Sequence, residues 1–168
     1  ELMKAAPFRD YATHGYGRFA CVWKATGEVI GFSGLKFVPE IGDTELGYRF
    51  FQEHWGKGLA TEAGRASIEF GRSDLGLKRL VAMVHPENVA SARVLSKLGF
   101  AIERKLAYSG LEGVEVDLFD LAHRADVARR HRWKRGDWQL LGWLRGRVPI
   151  GDGSAENNSD TWPPSSAG

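Results

Sequence analysis

Three strand-like runs before Phe51 point to a mixed α/β fold on a mostly antiparallel sheet. So do a switch to helical spacing at Leu59 and a return to strand-like runs from Arg79. Arg18 to Lys24 alternates with Phe19, Cys21 and Trp23 on one face, which is the pattern of a half-buried strand. Ala25-Thr26-Gly27-Glu28 reads as a turn, and Val29 to Phe37, interrupted by Gly31 and Gly34, as the second strand of a hairpin. Residues 1–17 carry little pattern and read as a loop that enters the first strand through Gly15 and Gly17. A loop with Pro39 and Gly42 leads to a third strand, Thr44 to Phe51.

The period then changes. Leu59, Ala63, Ala66 and Phe70 make one apolar stripe, which predicts a helix over about residues 59–72, with Gly76 just beyond its end. Arg79 to Val84 reads as a buried strand stopped by the His85-Pro86-Glu87-Asn88 turn. Val89 to Leu98 reads as a second helix, closed by Gly99 in the left-handed conformation. Phe100 to Tyr108 and Val114 to Leu121 are two further strands around a turn with Ser109, Gly110 and Gly113. From Val148 the composition shifts to Gly, Ser, Asn, Asp and Pro. One domain is therefore expected over residues 1–147 and a disordered tail over 148–168.

A length of 168 residues suits one core, and an apolar share of 43% with 26% charged residues is that of an ordinary globular chain. No apolar run is long enough to cross a bilayer, and no basic-then-apolar leader follows Glu1. Cys21 is the single cysteine, so an intrachain disulfide is excluded and a reducing, cytoplasmic setting is expected. Its place between Phe19 and Trp23 reads as a buried structural thiol rather than an acyl-carrying nucleophile. His54, His85 and His123 are scattered, so no metal site is expected. The net charge of +2 is uneven: residues 123–147 hold 8 Lys/Arg against Asp126 and Asp137.

The chemistry concentrates where the third strand runs into Trp55-Gly56-Lys57-Gly58-Leu59-Ala60-Thr61 and then a helix. Glycines let a backbone turn tightly and approach a ligand, and a helix N-terminus offers unpaired N–H groups to phosphate oxygens. A plain helix cap has the same pattern. It is neither a Walker loop, lacking Gly-Lys-Ser/Thr at the right spacing, nor a full dinucleotide fingerprint, lacking the third Gly.

A second segment narrows the reading. His85-Pro86-Glu87-Asn88-Val89-Ala90-Ser91, continuing to Leu98-Gly99-Phe100, resembles the Asn-x-x-Ser…Leu-Gly-Phe segment of the GNAT superfamily of N-acetyltransferases. Trp55 to Ala60 resembles that family's Gln/Arg-x-x-Gly-x-Gly/Ala motif, with Trp in the first position. Gly-Lys-Gly-Leu-Ala-Thr-Glu-Ala is similar to the subgroup with ribosomal-protein N-terminal acetyltransferases, and the resemblance covers about Phe19 to Leu121.

The resemblance implies a sheet with splayed central strands and flanking helices, with acetyl-CoA as co-substrate and an amine, peptide or small molecule, as acceptor. It implies that the backbone amides of Gly56, Lys57, Gly58, Leu59, Ala60 and Thr61 hold the pyrophosphate. The pantetheine arm would lie beside Tyr48, Arg49 and Phe50 like an added strand. Asn88 would bond that arm or only cap the second helix. Ser91 matches a position proposed as the acid, or as a hydrogen bond to the sulfur. Leu95 stands where many relatives carry a Tyr acid. Glu45 could serve as base through water, with Glu115 and Asp117 as competitors. Only 18 residues precede Phe19, where the family places a first strand and helices, so either the chain is a truncated or remodelled member or the acceptor side is open or completed by a partner.

Two other functions fit parts of the chain. One is an acetyl-CoA-binding domain without catalysis. The other is a nucleic-acid or acidic-partner module using the basic, Trp-rich segment 123–147, although the body of the chain is not basic. The same Trp-rich end would suit a homodimer contact.

Overall fold

The computed structural model describes residues 9–109, 113–121 and 138–141. Strands β1 (Arg18–Trp23), β2 (Val29–Val38), β3 (Asp43–Phe50), β4 (Leu80–Val84), β5 (Ala101–Ala107), β6 (Glu115–Leu121) and β7 (Trp138–Leu141) form one sheet. Its order is β5-β6-β4-β3-β2-β1-β7. Every neighbouring pair is antiparallel except β3 and β4, which run parallel. Residues 9–14 are helical (α1), followed by α2 (Leu59–Ser73) and α3 (Val89–Leu98). The six strands and two helices expected between Arg18 and Leu121 are all present, displaced by no more than a residue or so at their ends. Gly99 closes α3 with φ 92°, and its N–H reaches the carbonyls of Leu95 and Ser96.

Two elements differ from the sequence reading. The segment ahead of β1, expected to be a loop, is helical over residues 9–14. Its support is tertiary: the Tyr11 hydroxyl donates to the Arg18 carbonyl at 2.9 Å, and its ring tilts against Phe19 at 5.8 Å. Gly17 leaves room for that ring, since a Cβ there would sit 3.0 Å from it. Six described helical residues show no clear period in sequence. The second difference is β7, which pairs along β1 from Ala20↔Leu141 to Trp23↔Trp138. Four residues at a sheet edge carry too little pattern to be read without their partner. The rest of segment 123–147 and the tail 148–168 lie outside the described residues.

The main core lies on the face covered by α2 and α3. Ile68, Leu95 and Leu98 of the helices pack there with Leu35, Leu46, Leu80, Ala82 and Phe119 of the sheet. α2 comes close because Gly64 and Gly71 face the core: a Cβ would land 2.7 Å from Leu98 Cδ1 at the first and 2.8 Å from Leu35 Cδ1 at the second. The buried Ser67 hydroxyl donates to the Ala63 carbonyl at 2.9 Å and lies 3.2 Å from the Ser33 hydroxyl, so the polar pair is satisfied. A second cluster of Cys21, Ile30, Phe50, Leu59 and Ala63 anchors the first turn of α2 beneath the end of β3.

Arg79, just ahead of β4, gathers three acids from three strands. Its Nη1 lies 2.9 Å from Asp43 of β3 and its Nε 3.0 Å from Asp120 of β6, while its Nη2 meets Glu103 of β5. The clasp ties β3 to β4 at their beginnings. Arg79→Ala should lower stability by about 1 kcal/mol, modest because the guanidinium is partly solvated. Urea denaturation should show a lower midpoint at an unchanged slope. An unchanged midpoint would mean that the network contributes nothing.

Candidate functional site

β3 and β4 share ladder register only at Glu45↔Val81. Each keeps its outer partner along its length, β3 with β2 and β4 with β6, so neither depends on the other beyond that rung. The strands fork, and a cleft of about 160 Å³ runs between them. Alternation divides its lining by face. Leu46, Tyr48, Ala82, Val84, Ser91 and Leu95 belong to the helix side. Arg18, Phe32, Glu45, Gly47, Arg49 and Met83 belong to the opposite side. Past Glu45, the edge of β3 that faces β4 has no ladder partner among the described residues.

The turn that follows β3 in the chain leads into α2. A short 3-10 turn over Gln52–His54 leads to Trp55, whose indole Nε1 donates to the Phe50 carbonyl at 2.7 Å while the ring stays 65% exposed. Gly56 and Gly58 have φ 75° and 80°, a region that costs other residues strain. A Cβ at either position would meet nothing within 4 Å, so the approach to the turn is open. Gly58 is the N-cap of α2 and forms no side-chain cap bond, and the first-turn N–H groups of Leu59, Ala60 and Thr61 have no intrahelical acceptor. Leu59 is buried in the second cluster and fixes the direction in which this turn faces; Lys57 is exposed. Backbone donors, open space and a helix N-terminus together fit a diphosphate.

α3 supplies the other wall. Asn88 is its N-cap, with Oδ1 accepting from the Ser91 N–H at 3.0 Å, so the capping role is observed and the side-chain NH2 remains. Ser91 lines the cleft, and its carbonyl accepts from the Tyr48 hydroxyl at 3.2 Å. Tyr48 thus bridges the fork from β3 to α3. Burial pushes its pKa up to about 12, which keeps it a neutral donor. Phe50 and Tyr48 also pack in the core, while Arg49 is exposed at the opposite mouth. Leu95, in place of a Tyr, is fully buried in the cleft wall.

Among the three acids considered as base, Glu45 is the one at the cleft. Its carboxylate is 2.8 Å from Arg18 Nη2. Burial pushes its pKa up, against the opposing pull of Arg18, Lys36 and the Met83 N–H. Asp117 instead faces Lys105 at 3.9 Å, and Glu115 is exposed at the start of β6. Cys21 is fully buried, and burial pushes its thiol up to about 12, far from a reactive thiolate. Among the described residues no cluster of three His, Cys, Asp or Glu could hold a metal ion, and no helix is long and apolar enough to cross a membrane.

The structure adds Arg18, Phe32, Gly47 and Met83 on one side of the cleft and Leu46, Ala82 and Val84 on the other. No local pattern signals them, because each reaches the cleft only through strand register.

The comparisons agree with this geometry. The family described as an acetyltransferase (GNAT) domain matches residues 1–101. The uncharacterized N-acetyltransferase p20 of Bacillus licheniformis is 40% identical over 111 residues, which cover 64% of this chain and 62% of p20. This chain therefore spans less than two thirds of that relative's length. The acetyltransferase from Agrobacterium tumefaciens superposes with a TM-score of 0.62 at 26% identity, covering 70% of this chain and 67% of the other. The ribosomal-protein-S5-alanine acetyltransferase of Vibrio fischeri shares the fold, with a TM-score of 0.62 at 23% identity over 73% of this chain and 70% of that one. The chain belongs to the GNAT acetyltransferase family.

Tyr48→Phe removes the hydroxyl that ties β3 to α3 and takes one donor from the Ser91 carbonyl. It should cost about 1 kcal/mol in urea denaturation, with circular dichroism unchanged. Wild-type stability would show that packing alone joins the two walls.

Proposed function

We propose that this chain transfers an acetyl group from acetyl-CoA to a primary amine, on a protein N-terminus or a small molecule, by direct attack. The observation that carries this reading is the single-rung fork between β3 and β4, with a glycine turn and a helix N-terminus following β3 in the chain. Acetyl-CoA supplies the activated thioester, whose C–S bond breaks as the amine forms the new C–N bond. The backbone N–H groups of Gly56, Lys57, Gly58, Leu59, Ala60 and Thr61 hold the diphosphate, with Trp55 beside them. The free edge of β3 at Tyr48, Arg49 and Phe50 pairs with the pantetheine arm as an added strand would. An N–H of that edge stabilises the developing oxyanion. The spare NH2 of Asn88 bonds the arm from the other wall.

On the opposite face, Glu45 takes the ammonium proton through water, and its burial raises its proton affinity toward that task. Ser91 bonds the departing sulfur. A hydroxyl is a weak acid, so solvent delivers the proton that the thiolate finally takes. Leu95 favours a second reading, a domain that binds acetyl-CoA without turnover, because an aliphatic side chain fills a wall where a proton donor would stand.

Titration calorimetry with acetyl-CoA, desulfo-CoA and NAD, followed by thiol release on a panel of amines, separates these readings. The panel holds N-terminal peptides, a polyamine, an aminoglycoside and an amino acid. Binding of acetyl-CoA but not NAD, with thiol release on at least one amine, is the expected result. Binding without release on any amine would leave the non-catalytic domain. Gly58→Trp should abolish acetyl-CoA binding; its left-handed φ adds strain of about 1–2 kcal/mol, so folding is checked alongside. Undiminished affinity in a folded Gly58→Trp protein would remove the diphosphate assignment.

A further inference from the structure

Arg18 stands on β1, two strands away from the fork, yet its guanidinium reaches it. Arg18 pairs with Gly34 of β2, and Gly34 pairs with Gly47 of β3, so the three form one row across the sheet. Both glycines are required by this row. A Cβ at Gly34, where φ is 157°, would land 2.6 Å from the Gly17 carbonyl oxygen and 2.7 Å from Arg18 Cα. A Cβ at Gly47 would land 2.7 Å from Arg18 Nη2 and 2.8 Å from its Nε. The guanidinium carbon also lies 5.5 Å from the centre of the Phe32 ring.

Arg18 Nη2 donates to Glu45 Oε2 at 2.8 Å, and Glu45 is the residue whose rung with Val81 marks the fork. The neighbouring Nε is sealed from solvent and makes no hydrogen bond among the described residues. A guanidinium held only for solubility would leave that N–H in water. Here the Nε lies dry while the Arg18 side chain as a whole is 33% exposed, so the pair is sheltered on the Glu45 side, which is 12% exposed, and only partly screened.

We propose that Arg18 is a positioning residue for acetyl transfer, reaching through the space left by Gly34 and Gly47 to aim the Glu45 carboxylate into the cleft. This rests on the reading of Glu45 as the base. The other groups acting on Glu45 are Lys36 of β2, the Met83 N–H of β4 and Tyr108 just past β5. Lys36 and the Met83 N–H favour the carboxylate, as Arg18 does. Burial opposes them. Tyr108 is neutral, its pKa raised by its own burial and then by Glu40 and Glu45. Removing Arg18 takes away one of the groups that hold Glu45 ionised. Its pKa then rises further, and the acid limb of kcat/KM moves to higher pH.

The test compares pH profiles of kcat/KM for the wild type, Arg18→Met, Arg18→Lys, Gly47→Ala and Glu45→Gln, using the amine with the fastest thiol release in the panel. The Glu45 carboxyl is titrated in parallel by carbon-13 NMR in the wild type and Arg18→Met. The acid limb and the NMR midpoint should both rise by about one pH unit or more in Arg18→Met. Arg18→Lys should restore part of the shift. Gly47→Ala should move the limb the same way, because its Cβ displaces the guanidinium and keeps its charge. This variant also carries the test if Arg18→Met does not fold. A Glu45 midpoint that stays put in Arg18→Met overturns the proposal and leaves Glu45 as base. A shifted midpoint with an unshifted limb, or an intact limb in Glu45→Gln, overturns the base assignment and the proposal with it.

Discussion

The site depends on one parallel rung. β3 and β4 meet at Glu45↔Val81 and nowhere else along the ladder, although both are held firmly on their outer sides. A sheet whose two halves are each held by a full outer ladder can leave its seam open without unfolding, and the backbone groups that face the seam then stay available to water or a ligand. The Arg79 clasp joins the halves at the strand beginnings, and the Tyr48 hydroxyl joins them again beyond the fork through α3. Between those two ties the edge of β3 is left free, and a free strand edge inside a fold is a place where an extended ligand can pair.

The opening runs through the sheet, so its two mouths differ in chemistry. On the helix side it meets apolar side chains, a helix cap and the hydroxyl of Ser91. On the other side it meets an arginine–glutamate pair with a further arginine, Arg49, at the rim. Burying a carboxylate is costly unless a partner comes with it, and breaking such a pair leaves an uncompensated charge. The pair tolerates its position because two glycines allow the arginine to lie flat along the sheet. The same flat approach keeps the guanidinium from blocking the cleft.

Dual use recurs at the N-termini of α2 and α3. Gly58 caps α2 and leaves donors open, and Asn88 caps α3 while keeping its amide NH2. Capping consumes only some of a residue's hydrogen-bonding capacity. A residue that reads in sequence as a cap or as a ligand contact can therefore be both, and the glycine turn and the asparagine remained two-sided from sequence for that reason.

Most of the fold between Arg18 and Leu121 was legible in the sequence. Periods of two and of helical spacing record which face each element buries, and Pro86 and Gly99 mark ends that the backbone cannot pass unchanged. The glycine turn was legible because its requirements are local: positive φ and a helix N-terminus follow within a few residues. Helix α1 and strand β7 were not, since each is stabilised by contact with β1 rather than by its own pattern. Which of Glu45, Glu115 and Asp117 lies at the cleft also needed the structure, because all three are acids on strands. Arg18 and Gly47 were silent for the same reason. The sequence by itself determined which segments would pair and turn, through local sterics and alternation. Only the tertiary structure decided where the seam would open and which charges would meet there, because register across strands is a property of no single segment.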